Sequence, residues 1–88
     1  MVITGGEQER ELSRLRWQCR RGMLELDALL GDFIDAHYHD LRPDELAVFK
    51  DILSYPDQLL FDYFFGNGKP TDKDVSHVIE RIRKTHTA

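Results

Sequence analysis

Residues Arg20 to His39 read RRGMLELDALLGDFIDAHYH, and the spacing inside this stretch decides the fold. Leu26, Leu29, Leu30, Phe33 and Ile34, followed by His37 or Tyr38, recur at intervals of three and four, so they fall on one face of a helix over 23–39. Gly31 interrupts the apolar quality of that helix and leaves room for a neighbour to approach. At the front of the stretch stand two arginines and Gly22, where glycine weakens a helix interior by about 1 kcal/mol and favours a turn. A helix boundary is therefore expected at Gly22.

Upstream, Leu12, Leu15 and Cys19 repeat at three and four with Arg14 and Arg16 between them, an amphipathic helix over 7–20 that leaves Trp17 off its stripe. Downstream, Pro43 at a first helical position, with Asp44 and Glu45 favouring the helix dipole, opens a helix over 43–54 whose buried stripe is Leu46, Phe49 and Leu53. Pro56 starts a shorter one over 56–65, which GNGKP at residues 66–70 terminates. Thr71 with Asp74 resembles a capping box, and Val75, Val78, Ile79 and Ile82 form the core face of a last helix over 72–85. No stretch alternates with a period of two. The expected fold is all-α, a single small five-helix bundle over 7–85, with loose ends at 1–6 and 86–88.

Composition narrows the function. The 88 residues suffice for one domain with a modest core, and 41% hydrophobic content with 32% charge of both signs describes a folded, soluble chain. Net charge is −4, distributed unevenly: five Arg against three Glu in 1–24, two basic against ten acidic residues in 25–62, five basic against three acidic in 63–88. Nucleic-acid binding through counterion release requires a basic face, which an acidic centre opposes. The opening MVITGGEQER has neither the basic-then-apolar order of a secretory signal nor the composition of a transit peptide, and no apolar run reaches the roughly 18 residues of a membrane span. The single cysteine excludes an internal disulfide and suits a reducing compartment, so a cytoplasmic location without membrane insertion is expected.

Candidate chemistry is sparse. Cys19 lies on an apolar stripe without a Cys/His motif around it and reads as structural. His37 and His39, two apart, point to different sides of a helix, unlike metal pairs four apart. Gly66, Gly68 and Lys69 lack the spacing and the preceding strand of a phosphate loop. No catalytic residue, metal site or stably bound cofactor is expected, and the chain is read as a non-enzyme. What remains is the cluster Trp17, Arg20, Arg21 and Met23 around Gly22. These residue types are enriched in protein interfaces, and glycine permits close approach. An equally consistent reading has Trp17 and Met23 filling core and the arginines solvated.

The run WQCRRGMLELD, with Arg14 before it, contains Arg21-Gly22-x-x-Glu25 and resembles the RGxxE motif of the succinate dehydrogenase assembly factor family. The resemblance extends over residues 10–84 through Phe33, Asp44-Glu45 with Phe49, Leu53, the segment from Asp57 to Phe61, and Gly68-Lys69-Pro70 followed by Asp72. Arg42 departs from it, since a Ser-type helix cap is expected there.

The resemblance implies a bacterial, cytoplasmic, monomeric assembly factor that binds the flavoprotein subunit of succinate dehydrogenase, and of fumarate reductase in many bacteria. There it promotes attachment of FAD to a histidine of that subunit without holding FAD itself. It also implies that Arg21, Gly22 and Glu25 contact the partner, with Arg14, Trp17, Arg20, Met23 and Asp27 beside them; by spacing, Arg21 and Glu25, four apart, share one helix face if the helix begins at Gly22. The competing reading is an antitoxin-like or regulatory protein-binding module.

Overall fold

The stretches with helical apolar spacing are helices in the computed structural model, which describes residues 4–87 and the side chains of residues 8–85. They are α1 (Thr4–Gln18), α2 (Leu24–His37), α3 (Pro43–Leu53), α4 (Asp57–Phe65) and α5 (Lys73–Thr87). No strand occurs among the described residues, and the fold is all-α. The expected loose ends overlap the helices at 4–6 and 86–87, and otherwise lie outside the described residues.

α2 and α5 form the centre. α5 contacts α2, α3 and α4, while α1 lies along α2. Their shared core contains Leu15 and Cys19 of α1, Leu26, Leu29, Leu30, Phe33 and Ile34 of α2, Phe49 and Ile52 of α3, Leu60 and Phe64 of α4, and Val75, Val78, Ile79 and Ile82 of α5. Each helix presents the face that its spacing predicts, because burying such an apolar stripe is what stabilises helices this short. Leu46 is only partly buried, and Ile52 takes its place beside Phe49 and Leu53. Burial raises the Cys19 thiol to about 12, so it stays protonated and unreactive.

Two helix starts differ from expectation. α5 is capped by Asp72 rather than Thr71: its carboxylate accepts from the N–H groups of Asp74 at 2.8 Å and Val75 at 3.3 Å. A carboxylate is the stronger acceptor and complements the helix dipole. At α3, Arg42 has no side-chain acceptor to offer, and only the reciprocal half of a capping box remains, with Arg42 N–H donating to Glu45 at 3.0 Å.

Glu45 does more than favour the dipole. It is buried, and its second oxygen accepts from Arg81 of α5 at 3.0 Å and lies 3.3 Å from His77 Nε2, joining α3 to α5. The Arg42 N–H above all, and then Arg81, hold its carboxyl at about 2, against the opposing effect of burial. A second polar tie links three helices on another side, where Glu11 accepts from Tyr38 at 2.5 Å and from Lys50 at 2.6 Å.

Candidate functional site: the corner between α1 and α2

The α1 helix ends as the Cys19 N–H is shared between the carbonyls of Leu15 and Arg16, and Arg20 N–H closes a last turn onto Trp17. The chain then reverses through Gly22, whose φ of +82° is the one positive value among the described residues. An L side chain is strained at that torsion, so glycine is required by the backbone. Nothing lies within 4 Å of where its Cβ would stand, and the residue faces open space. Substitution by arginine would therefore strain the backbone and fill that open space.

α2 begins at Leu24, with Met23 as an N-cap that makes no side-chain bond. The helix thus does not begin at Gly22, and Arg21, outside it, shares no helix face with Glu25. The Arg21 side chain turns inward and is only 12% exposed. The guanidinium donates to the Asp57 carboxylate at 2.6 Å, to the Tyr55 carbonyl at 3.0 Å and to the Leu53 carbonyl. Carbonyls at a helix C-terminus have no intrahelical partner, and a planar cation satisfies them well. Meanwhile the backbone N–H of Arg21 donates to Asp27 at 2.7 Å, closing the turn onto the first turn of α2. One residue therefore joins the α1–α2 turn, the end of α3 and the start of α4. Its Nε alone is buried without a partner.

Outside this joint the surface is open. Trp17 is 70% exposed and Leu24 86% exposed. Glu25, Arg14 and Arg20 are also exposed, and the Arg20 guanidinium lies 5.7 Å from the centre of the Trp17 indole. Met23 is half-buried against the core. Arg20 and Leu24 also border an open depression of about 550 Å³ between α1 and α2, whose lining includes Cys19, Ala28, Gly31 and the Arg16–Asp35 ion pair. The eight candidate residues thus divide into an exposed set, Arg14, Trp17, Arg20, Gly22 and Glu25, and a supporting set, Arg21, Met23 and Asp27.

A protein-family model described as "Flavinator of succinate dehydrogenase" matches residues 13–86, which include this corner and all of α2, α3 and α4. The chain belongs to the flavinator family. Similar members are named FAD assembly factor SdhE: one from Pseudomonas aeruginosa is 42% identical over 84% of this chain and 88% of its own length. Others from Legionella pneumophila and Coxiella burnetii are 40% and 38% identical, covering 84% and 81% of this chain and 92% and 87% of their own.

In this flavinator chain the sequence reading passed over Leu24 and Asp57. Leu24 carries a usable signal: its partners at three, four and seven onward are Asp27, Ala28 and Gly31, so it lies off the stripe that builds the core. Asp57 carries none, because its role depends on Arg21, 36 residues away. Among the described residues no group of three or more His, Cys, Asp or Glu side chains is arranged to hold a metal ion, and no helix is long and apolar enough to cross a membrane.

Proposed function

We propose that this protein is a non-catalytic assembly factor that docks on the flavoprotein subunit of succinate dehydrogenase, and on that of fumarate reductase where present, and promotes covalent attachment of FAD. The observation that carries the reading is the corner at Gly22. A buried arginine and a left-handed glycine hold an exposed Trp17, Leu24 and Glu25 that the fold itself does not use. Exposed large apolar groups beside an exposed carboxylate supply the usual ingredients of a protein interface, an aromatic anchor and a charge that orients the partner. Membership in the flavinator family, and the name its relatives carry, support succinate dehydrogenase as the target.

The mechanism follows from differential binding. A chain that binds one conformation of the flavoprotein subunit better than the others raises that conformation's population in proportion to the difference in affinity. If the favoured state aligns the subunit's histidine with the flavin, attachment accelerates because the reacting groups no longer search for their geometry. The bond is made by the flavin and the subunit, which supply the chemistry. Arg14, Trp17, Arg20, Gly22, Leu24 and Glu25 form the contact face, and Arg21, Met23 and Asp27 support it from within. The chain holds neither FAD nor metal stably.

Flavin fluorescence of the denatured flavoprotein subunit, from cells with and without this protein, tests the proposal. The expected result is less covalent FAD per unit of subunit in the deletion. Unchanged fluorescence across growth conditions would overturn it.

A further inference from the structure

The tie between Arg21 and Asp57 has a feature that the other polar ties lack: it fixes a turn with few other constraints. Met23 gives α2 no side-chain cap, and Gly22 contributes no side chain. Met23 packs against the core, and its carbonyl accepts from the Asp27 N–H at 2.8 Å; the side-chain hydrogen bonds that hold the path from Arg20 to Leu24 run through Arg21, by its N–H to Asp27 and by its guanidinium to the α3–α4 joint. Of the groups that receive the guanidinium, Leu53 and Tyr55 offer main-chain carbonyls, and Asp57 alone offers a side chain. It is also the one charged acceptor, and a charge-assisted hydrogen bond is roughly twice as strong as a neutral one.

We propose that Asp57 is a positioning residue for the docking face: by anchoring Arg21 at the start of α4 it sets where Leu24 and Glu25 stand when the flavoprotein subunit arrives. This rests on the docking reading of the corner. It assigns to Asp57 an action through Arg21 rather than a contact with the partner, and it makes Arg21 an internal strut.

Asp57→Ala, Asp57→Glu and Arg21→Lys in the full chain test it, in two arms. The first arm uses the free protein, at a temperature where circular dichroism shows every variant folded, and follows amide hydrogen exchange. In Asp57→Ala the amides of Arg21 and Asp27 are expected to exchange about tenfold faster, the equivalent of one charge-assisted hydrogen bond, with no change at Leu30 or Phe33 in the core. The second arm measures affinity for the purified flavoprotein subunit before flavin attachment. Asp57→Ala is expected to weaken binding about tenfold. Asp57→Glu should recover most of the loss, and Asp57→Ala combined with Glu25→Ala should cost less than the two single losses added together, because part of the effect of Asp57 passes through Glu25.

Unchanged exchange at Arg21 and Asp27 overturns the positioning role, as do losses that simply add. Arg21→Lys failing to bind while Asp57→Ala binds normally also overturns it, since Arg21 would then meet the partner itself. A wild-type chain that does not bind the subunit sinks the docking reading instead. The exchange arm still decides the tie independently of that outcome.

Discussion

Glu45 and Arg21 are both charged side chains drawn inward to tie helix ends together, yet their surroundings differ. Glu45 is buried and links the start of α3 to α5 through Arg42, His77 and Arg81. Arg21 links the α1–α2 turn to the end of α3 and the start of α4, and just outside it stand Leu24 and Trp17, both highly exposed. The first tie serves folding. The second holds a turn beside two large apolar side chains that the fold leaves exposed, which is where a recognition face is expected.

Removing Glu45 should have the largest effect on stability and the smallest on docking. Glu45→Ala leaves Arg81 and the Arg42 N–H without their acceptor and is expected to cost about 2 kcal/mol. Urea denaturation measures it. The effect depends on pH in a defined direction. The folded carboxyl lies at about 2, below the ordinary 4.5, so its contribution is present above 4.5 and is lost as pH falls toward 2. Wild-type stability should therefore drop across that window more than that of Glu45→Ala. Equal acid sensitivity would mean that Glu45 is not a tie.

Gly22 should affect both properties. Its φ of +82° penalises any L residue, and with open space around it the cost is torsional, about 1 kcal/mol for Gly22→Ala. Asparagine tolerates the left-handed region better, so thermal melts should place Gly22→Asn between alanine and wild type. If alanine and asparagine destabilise equally, steric contact rather than torsion sets the cost.

Leu24→Ala should hardly change the melting temperature, within the roughly 0.5 kcal/mol usual for exposed sites, because the side chain is 86% exposed. Binding to the flavoprotein subunit, read by calorimetry, should weaken. A stability loss comparable to a core truncation would show that Leu24 contributes to the fold after all.

The same contrast explains how much could be read from the chain. Helix positions and core faces were legible because they rest on spacing within one element: Leu26, Leu29, Leu30, Phe33 and Ile34 form a stripe wherever the rest of the molecule goes. Glu45 was legible as a first-turn acid, but its burial against His77 and Arg81 depends on residues more than 30 positions away. The orientation of Arg21 is hidden for the same reason. Its spacing from Glu25 gives a shared face only if the helix begins at Gly22, whereas carbonyls and a carboxylate brought in by α3 and α4 turn it inward. Local pattern marks the corner; only the tertiary arrangement separates its supports from its exposed groups.

The central claim is that Glu25 belongs to the docking face and not to the fold. It is exposed, and its side chain forms no hydrogen bond or ion pair with another described residue. Glu25→Ala, melted by circular dichroism beside a titration of the flavoprotein subunit, tests this directly. The expected result is a midpoint shifted by no more than about 0.5 kcal/mol in equivalent stability, with binding and flavin attachment both reduced. A variant that melts much earlier, yet binds normally once folded, would contradict the claim and make the corner a purely structural turn.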